Sequence, residues 1–194
     1  VLDMSRIDSG RMTLNDEVFS LADMVHDITI IVRPQAMQKR QEFQMEIGQI
    51  YEENLIGDPL RLRQILVNII GNAVKYTQED GRIYVYFSQR LEEENQGMRR
   101  ILLDFVCEDN GIGMSPAFLE RIFMPFERVN NTTISKIEGT GLGMAIVKNL
   151  LDRMGGEISV ESEEGKGSCF RVTLPLAVAP QNQMPHTLVQ GQTV

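Results

Sequence analysis

Cysteine, histidine, aromatic rings and surplus positive charge are all scarce in this chain, and each scarcity closes off a line of function. The only two cysteines, Cys107 and Cys169, sit in apolar runs that read as strands, and no Cys or His cluster has metal-ligand spacing. The expectation is a pair of buried thiols in a reducing cytoplasm. His26 lies on a helix among apolar neighbours and His186 in a polar tail, so neither has the acidic or basic companion that a reacting imidazole needs. The net charge of −8 offers no basic surface to nucleic acid or to an anionic membrane. A highly charged anionic ligand would therefore need local help from Lys75, nearby arginines, helix N-termini and a divalent metal. No apolar run approaches the length of a bilayer crossing, and the first residues lack the segments of a signal peptide, so the chain is expected to be soluble. Aromatics make up 6% and hydrophobic residues 42% of 194 residues, which suits one globular domain with extra elements at its ends. No internal repeat is visible on the scale of roughly 20 to 50 residues.

What is present is periodic. Leu62, Ile65, Leu66, Ile69, Ile70 and Ala73 recur at helical steps, while Arg61, Gln64, Asn68, Asn72 and Lys75 fall on the other side. Asp58-Pro59 starts this helix, with Asp as cap and Pro at the first helical position, and it should end near Tyr76. Ser20 is a plausible cap for an earlier helix whose stripe is Leu21, Met24, Val25, Ile28, Ile31 and Val32, with a kink at Pro34. Residues 1–12 read as the last turns of a helix that begins upstream. Strands fit Glu42 to Ile47, Arg82 to Phe87 and Arg100 to Cys107, the last two forming a hairpin with a polar tip from Glu92 to Gly97. Ser115-Pro116 opens a helix leading to Ile122-Phe123, and the polar stretch from Asn130 to Glu138 reads as a mobile loop. A further helix carries Ile146, Val147, Leu150, Leu151 and Met154 and stops at Gly155-Gly156. Strands at Glu157 to Glu161 and Ser168 to Leu174 follow, and the tail from about Ala177 has little to bury.

Three segments carry chemistry. Asn is a mediocre helix former, so Asn68 and Asn72 at one azimuth, followed by Lys75 and Tyr76, make an amide and ammonium stripe suited to a metal-bound polyphosphate; a merely solvated face is the alternative. Asp109-Asn110-Gly111-Ile112-Gly113 sets a carboxylate at a strand end with glycines behind it, which would let backbone approach a flat ligand, although the same residues also favour a β-turn. Gly139-Thr140-Gly141-Leu142-Gly143 precedes a helix N-terminus, where free N–H groups attract phosphate. It has neither the Gly-Lys-Ser/Thr ending of a P-loop nor the dinucleotide glycine spacing, which argues against both of those folds. Phe123 and Phe126 could hinge the polar loop against the body or be ordinary core, and Arg128 could swing onto a terminal phosphate or be solvated.

Taken in order, Asn68 to Thr77, Asp109 to Gly113, Phe123 to Phe126 and Gly139 to Gly143 resemble the N, G1, F and G2 boxes of the ATP-binding domain of sensor histidine kinases. Leu2 to Gly10 is similar to the end of that family's second dimerisation helix, and Gly156 to Leu176 to its closing hairpin. The resemblance implies the Bergerat nucleotide-binding fold, an α/β two-layer sandwich with helices packed on one face of a mixed sheet and ATP on the helical side under a lid at 130–143. It divides the chain into a dimerisation-helix remnant and linker (1–18), a catalytic ATP-binding domain (19–176) and a disordered C-terminal linker (177–194). Carried over, it implies Asn72 as the Mg2+ ligand, Asn68 and Lys75 near the phosphates, Tyr76 against the nucleotide and Asp109 reading the adenine amine. Gly111 and Gly113 would admit the base, Ser168 would stand beside Asp109, Gly139, Thr140, Gly141, Leu142 and Gly143 would hold phosphate, and Arg128 would face the γ-phosphate.

The resemblance further implies transfer of the γ-phosphate to a histidine on a dimerisation domain, of this or a second subunit, that lies upstream of this chain. A response-regulator receiver domain would be the downstream partner. The full-length protein would be a homodimer, cytoplasmic or anchored in the inner or plasma membrane, and no nucleic acid is implied. Related chaperone, gyrase and mismatch-repair ATPases carry a water-activating glutamate where this chain has Asn68, which favours a kinase over an ATPase. A degenerate nucleotide-sensing interaction module is the rival from another class.

Overall fold

The computed structural model describes residues 13–92, 99–127 and 140–180. The helix remnant expected at 1–12, most of the hairpin tip, Arg128, Gly139, the loop at 130–138, His186 and the tail beyond 180 fall outside those residues. Seven strands form one mixed sheet: β1 (Glu17–Ser20), β2 (Glu42–Ile47), β3 (Asn54–Gly57), β4 (Arg82–Leu91), β5 (Arg100–Asp109), β6 (Glu157–Glu163) and β7 (Gly167–Val178). Their order is β1-β3-β7-β5-β4-β2, with β6 beside the first half of β7. Only β2 and β4 run parallel, which requires a crossover connection, here supplied by β3 and the helix 59–76; the other pairings are antiparallel.

Alternation decides which face is covered. Ile83, Val85 and Phe87 of β4, Ile101, Leu103, Phe105 and Cys107 of β5, and Phe170, Val172 and Leu174 of β7 are buried. Between them, on the other face, stand ion pairs and hydrogen bonds such as Arg90–Asp104, Thr173–Asp104 and Tyr84–Glu46. Phe87 and Phe105 are cross-strand partners with ring centroids 5.1 Å apart. Onto this apolar face pack α1 (Leu21–Gln38), α2 (Pro59–Tyr76) and α4 (Gly143–Met154), with the single turn α3 (Pro116–Leu119) at one end.

The helix starts follow the sequence closely. Ser20 accepts the Asp23 N–H at 3.1 Å, and Asp58 accepts the Arg61 N–H at 3.0 Å with Pro59 at the first helical position. Asp58 also accepts the Asn15 N–H at 2.9 Å, which ties the incoming chain to the same cap. Gly155, at φ +74°, closes α4 in the left-handed conformation.

Four expectations need correction. Ile31 is 41% exposed, because it sits at the rim of the α1 stripe, one turn beyond Asp27, whose carboxylate reaches across to Arg63. The helix from Ser115 stops at Leu119 and continues as turns in which Arg121 and Met124 donate to Phe118 and Arg121; Pro125 then blocks further winding. Cys169 is only half-buried, since its position on β7 alternates with buried Phe170 and so faces away from the helices. Strands β1 and β3 were not anticipated at all.

Candidate functional site

The sheet, α2 and the start of α4 meet at one end around a cavity of about 220 Å3. Asn72, Lys75 and Tyr76 line it from α2, Asp109 and Ser168 from the strand ends, Gly113 and Met114 from the loop after β5, and Thr140, Gly141, Gly143 and Met144 from the α4 entry. That volume is below the roughly 300 Å3 at which pockets for whole drug-sized ligands begin, so it has room for a planar ring system rather than an entire nucleoside triphosphate. The longer part of such a ligand would run out along the α2 stripe.

Asp109 anchors the closed end. Being the last residue of β5 and in register with Ser168 of β7, it is drawn between the two strands and left only 8% exposed. Its Oδ1 accepts the Gly111 N–H at 2.8 Å. Burial pushes its carboxyl up to about 6, against the lowering effect of the backbone N–H groups of Gly111 and Ser168. A buried carboxylate held by backbone donors, with lone pairs still facing a cavity, suits recognition of an N–H donor on a flat ligand. The Ser168 hydroxyl shares a 2.9 Å hydrogen bond with that of Ser162, which in turn donates to the Gly167 carbonyl. Ser162 is thus a supporting group that the sequence did not announce; only its strand register opposite Ser168 could have revealed it.

The two glycines of the post-β5 loop serve the chain before any ligand. A Cβ on Gly111 would lie 2.5 Å from the Tyr76 carbonyl, and one on Gly113, whose φ is +64°, would lie 1.9 Å from the Glu163 carbonyl. The loop is pressed between the end of α2 and the β6–β7 turn, with Ile112 donating to the Tyr76 carbonyl at 3.2 Å and accepting from Gly165 at 2.7 Å. Of Asp109-Asn110-Gly111 only Asp109 lines the cavity, and the chain bends at Gly111 and Ile112 behind it.

At the open end, α4 starts on Leu142, which offers no side-chain cap, so among the described residues no N-cap side chain serves its first N–H groups. Asn68 faces that start: a Cβ on Gly143 would come 3.9 Å from its side-chain amide. Thr140 accepts the Leu142 N–H at 3.4 Å. Lys75 holds its ammonium 4.9 Å from the Tyr76 ring centroid. Of the aromatics expected at the hinge, Phe123 packs on the core, whereas Phe126, at φ +65°, is 72% exposed and donates its N–H to the Gly141 carbonyl at 3.0 Å. Arg128 and Gly139 lie outside the described residues. The apolar lining from Met114, Phe118, Ile122, Met144 and Phe170 was missed as a ligand surface, because apolar residues at these spacings read as core.

Among the described residues no three His, Cys, Asp or Glu side chains converge on a possible metal position. A hard cation would here have amide oxygens and the ligand's own phosphates, which fits magnesium, an ion that takes few protein ligands when phosphates supply the rest.

A base-sized cavity behind a buried aspartate, opening along an amide stripe to an uncapped helix start, defines an α/β sandwich of the nucleotide-binding class. The chain belongs to the histidine kinase-, DNA gyrase B- and HSP90-like ATPase family, whose model matches residues 57–178, and within it to the catalytic domains of sensor histidine kinases. It is 37% identical over 186 residues to sensor protein GacS of Pseudomonas syringae pv. syringae, a match that covers 94% of this chain and 20% of that protein. To the sensory/regulatory protein RpfC of Xanthomonas campestris pv. campestris it is 35% identical over 178 residues, 92% of this chain and 24% of that one. The chain therefore spans about a fifth to a quarter of the length of these curated relatives. The crystal structure of full-length ShkA in complex with AMPPNP superposes with a TM-score of 0.72 at 29% identity, covering 92% of this chain and 35% of ShkA. The mycobacterial sensor histidine kinase MprB, at 24% identity and a TM-score of 0.63 over 84% of this chain and 98% of its own, shares the fold.

Proposed function

We propose that this chain binds ATP with magnesium and presents the γ-phosphate to a histidine on a dimerisation domain, as the catalytic part of a two-component sensor kinase. The observation that carries this reading is Asn68. It faces the α4 start where the phosphate end of a nucleotide would lie, and an amide there cannot deprotonate water. Transfer to a protein nucleophile is favoured over hydrolysis.

In this reading Asp109 accepts the exocyclic amine of adenine, and Ser168 and the 111–113 loop complete the base wall. Tyr76 borders the nucleotide, and Lys75 and Asn68 neutralise and orient the phosphates. Gly139, Thr140, Gly141, Leu142 and Gly143 bring backbone N–H groups to the same phosphates, and Arg128 stabilises the charge that develops on transfer. Asn72 would hold the magnesium ion, which when bound would draw negative charge off the phosphates. The chain's own contribution is alignment and charge complementarity, since phosphoryl transfer needs little covalent chemistry from the enzyme.

The assembly around it follows from the same reading: a dimeric full-length kinase, cytoplasmic or membrane-anchored, whose dimerisation domain carries the acceptor and whose phosphate passes on to a receiver domain. The catalytic unit expected at 19–176 is taken to run from Glu17 to Val178, because β1 begins at Glu17 and β7 ends at Val178, with the flanking segments as connections. The test is trans-phosphorylation. This chain, ATP and magnesium are mixed with a dimerisation domain bearing the histidine, and acid-labile label on that partner is the expected result. ATP binding without any label on a competent cognate partner would point instead to a nucleotide-sensing interaction module.

A further inference from the structure

The last carbonyls of a helix have no intrahelical donor and together carry roughly half a negative charge, so they need donors from elsewhere. In α2 these carbonyls are gathered by one side chain from another element. Lys39, the C-terminal cap of α1, donates from Nζ to Val74 O at 2.7 Å, Lys75 O at 3.1 Å and Thr77 O at 2.6 Å. Gln41, 6% exposed, adds its Nε2 to Val74 O at 3.0 Å and Thr77 O at 2.7 Å. The carbonyl that Lys39 passes over, that of Tyr76, receives the Ile112 N–H from the loop after β5.

The grip is built in from both sides. Asp80 donates its N–H to the Lys39 carbonyl at 3.2 Å, and Arg40, in the left-handed region at φ +52°, pairs with Glu79 and Asp80. Burial lowers the pKa of Lys39, with the Glu79 carboxylate acting in the opposite direction. Lys39 itself does not line the cavity; Lys75, whose carbonyl it holds, and Tyr76, which lies between two carbonyls it holds, do.

We infer that Lys39 is a positioning residue for the nucleotide: its ammonium sets the last turn of α2, whose Lys75 and Tyr76 line the cavity and whose Tyr76 carbonyl holds the 111–113 loop. This rests on the nucleotide reading of the cavity. A plain helix cap would change stability alone, whereas a positioning residue changes affinity in a protein that remains folded.

The experiment titrates AMPPNP with magnesium into the whole chain, its Lys39→Met variant and its Lys39→Arg variant, at a temperature where circular dichroism shows each folded. Lys39→Met is expected to bind about tenfold more weakly, and Lys39→Arg to recover to within about threefold of the parent. Equal affinity of the parent and Lys39→Met overturns the inference and leaves the nucleotide reading standing; no binding by the parent overturns both. Coupling is reciprocal, so a measurement on the unsubstituted chain decides the matter even if the variants do not fold. Addition of AMPPNP should shift the Lys39 15Nζ resonance and slow exchange of the Ile112 amide, and saturation that moves neither signal refutes the proposed role.

Discussion

In the proposed reading Asp109 binds its proton and its ligand with the same oxygens, so the pH dependence of binding follows from where it sits. With its carboxyl raised to about 6, an adenine amine competes with protonation below that value, and affinity for AMPPNP should fall about tenfold per pH unit as pH drops through and below 6. For Asp109→Asn the expectation is a loss of about 2 kcal/mol or more and no inflection near 6; an inflection that survives the substitution would assign it to another group. The stability of the unliganded fold runs the other way. Between the ordinary 3.8 and about 6 the native carboxyl keeps a proton that the unfolded one has lost, so stability declines as pH rises across that window and levels off above it. Asn72→Ala should weaken binding about tenfold in magnesium, and removal of the metal with EDTA should erase the difference between variant and parent.

Element by element, the strength of each signal tracked how much of the element's environment its own residues determine. Helix α2 was legible in full because its cap, its proline and its stripe are all local: Leu62, Ile65, Leu66, Ile69 and Ile70 are each 0–1% exposed. Replacing Ile69 by Ala should cost about 2 to 5 kcal/mol in urea unfolding. Asp58→Ala should cost about 1 to 2 kcal/mol, since the carboxylate serves the Arg61 and Asn15 N–H groups together, and Asp58→Asn should keep most of that. A loss of only a few tenths for either Ala variant would mean that the packing or cap described here is not what holds α2. Strands β1 and β3 were illegible because each has four residues and a single buried large side chain, Phe19 and Leu55; their register comes from partners far along the chain, Ser20 opposite Asn54 and Leu55 opposite Val178. The α4 entry was readable as a phosphate-binding glycine run, yet its meeting with Asn68 depends on how α2 and α4 pack and is not encoded in either segment alone.

For the molecule as a whole, the ordered motifs were readable because each is short and self-contained, and the fold's task is to bring them to one end of the sheet. Asp109 and Ser168 are fifty-nine positions apart in sequence and direct partners in register. What the sequence could not supply was the depth of the pocket, because Met114, Met144 and Phe170 have the same pattern whether they bury each other or border a ligand. Absence of a carboxylate at Asn68 predicts phosphate release near background when the chain is given ATP and magnesium alone; steady turnover in a coupled assay would return it to the hydrolases of its family. The central claim, that an aspartate-closed pocket and an amide stripe hold a magnesium nucleotide, is tested most directly by calorimetric titration of the parent chain, Asp109→Asn and Asn72→Ala with AMPPNP and magnesium. A saturable single-site heat in the parent that both substitutions sharply reduce is the predicted result, and no heat at millimolar nucleotide, or undiminished binding in both variants, would contradict it.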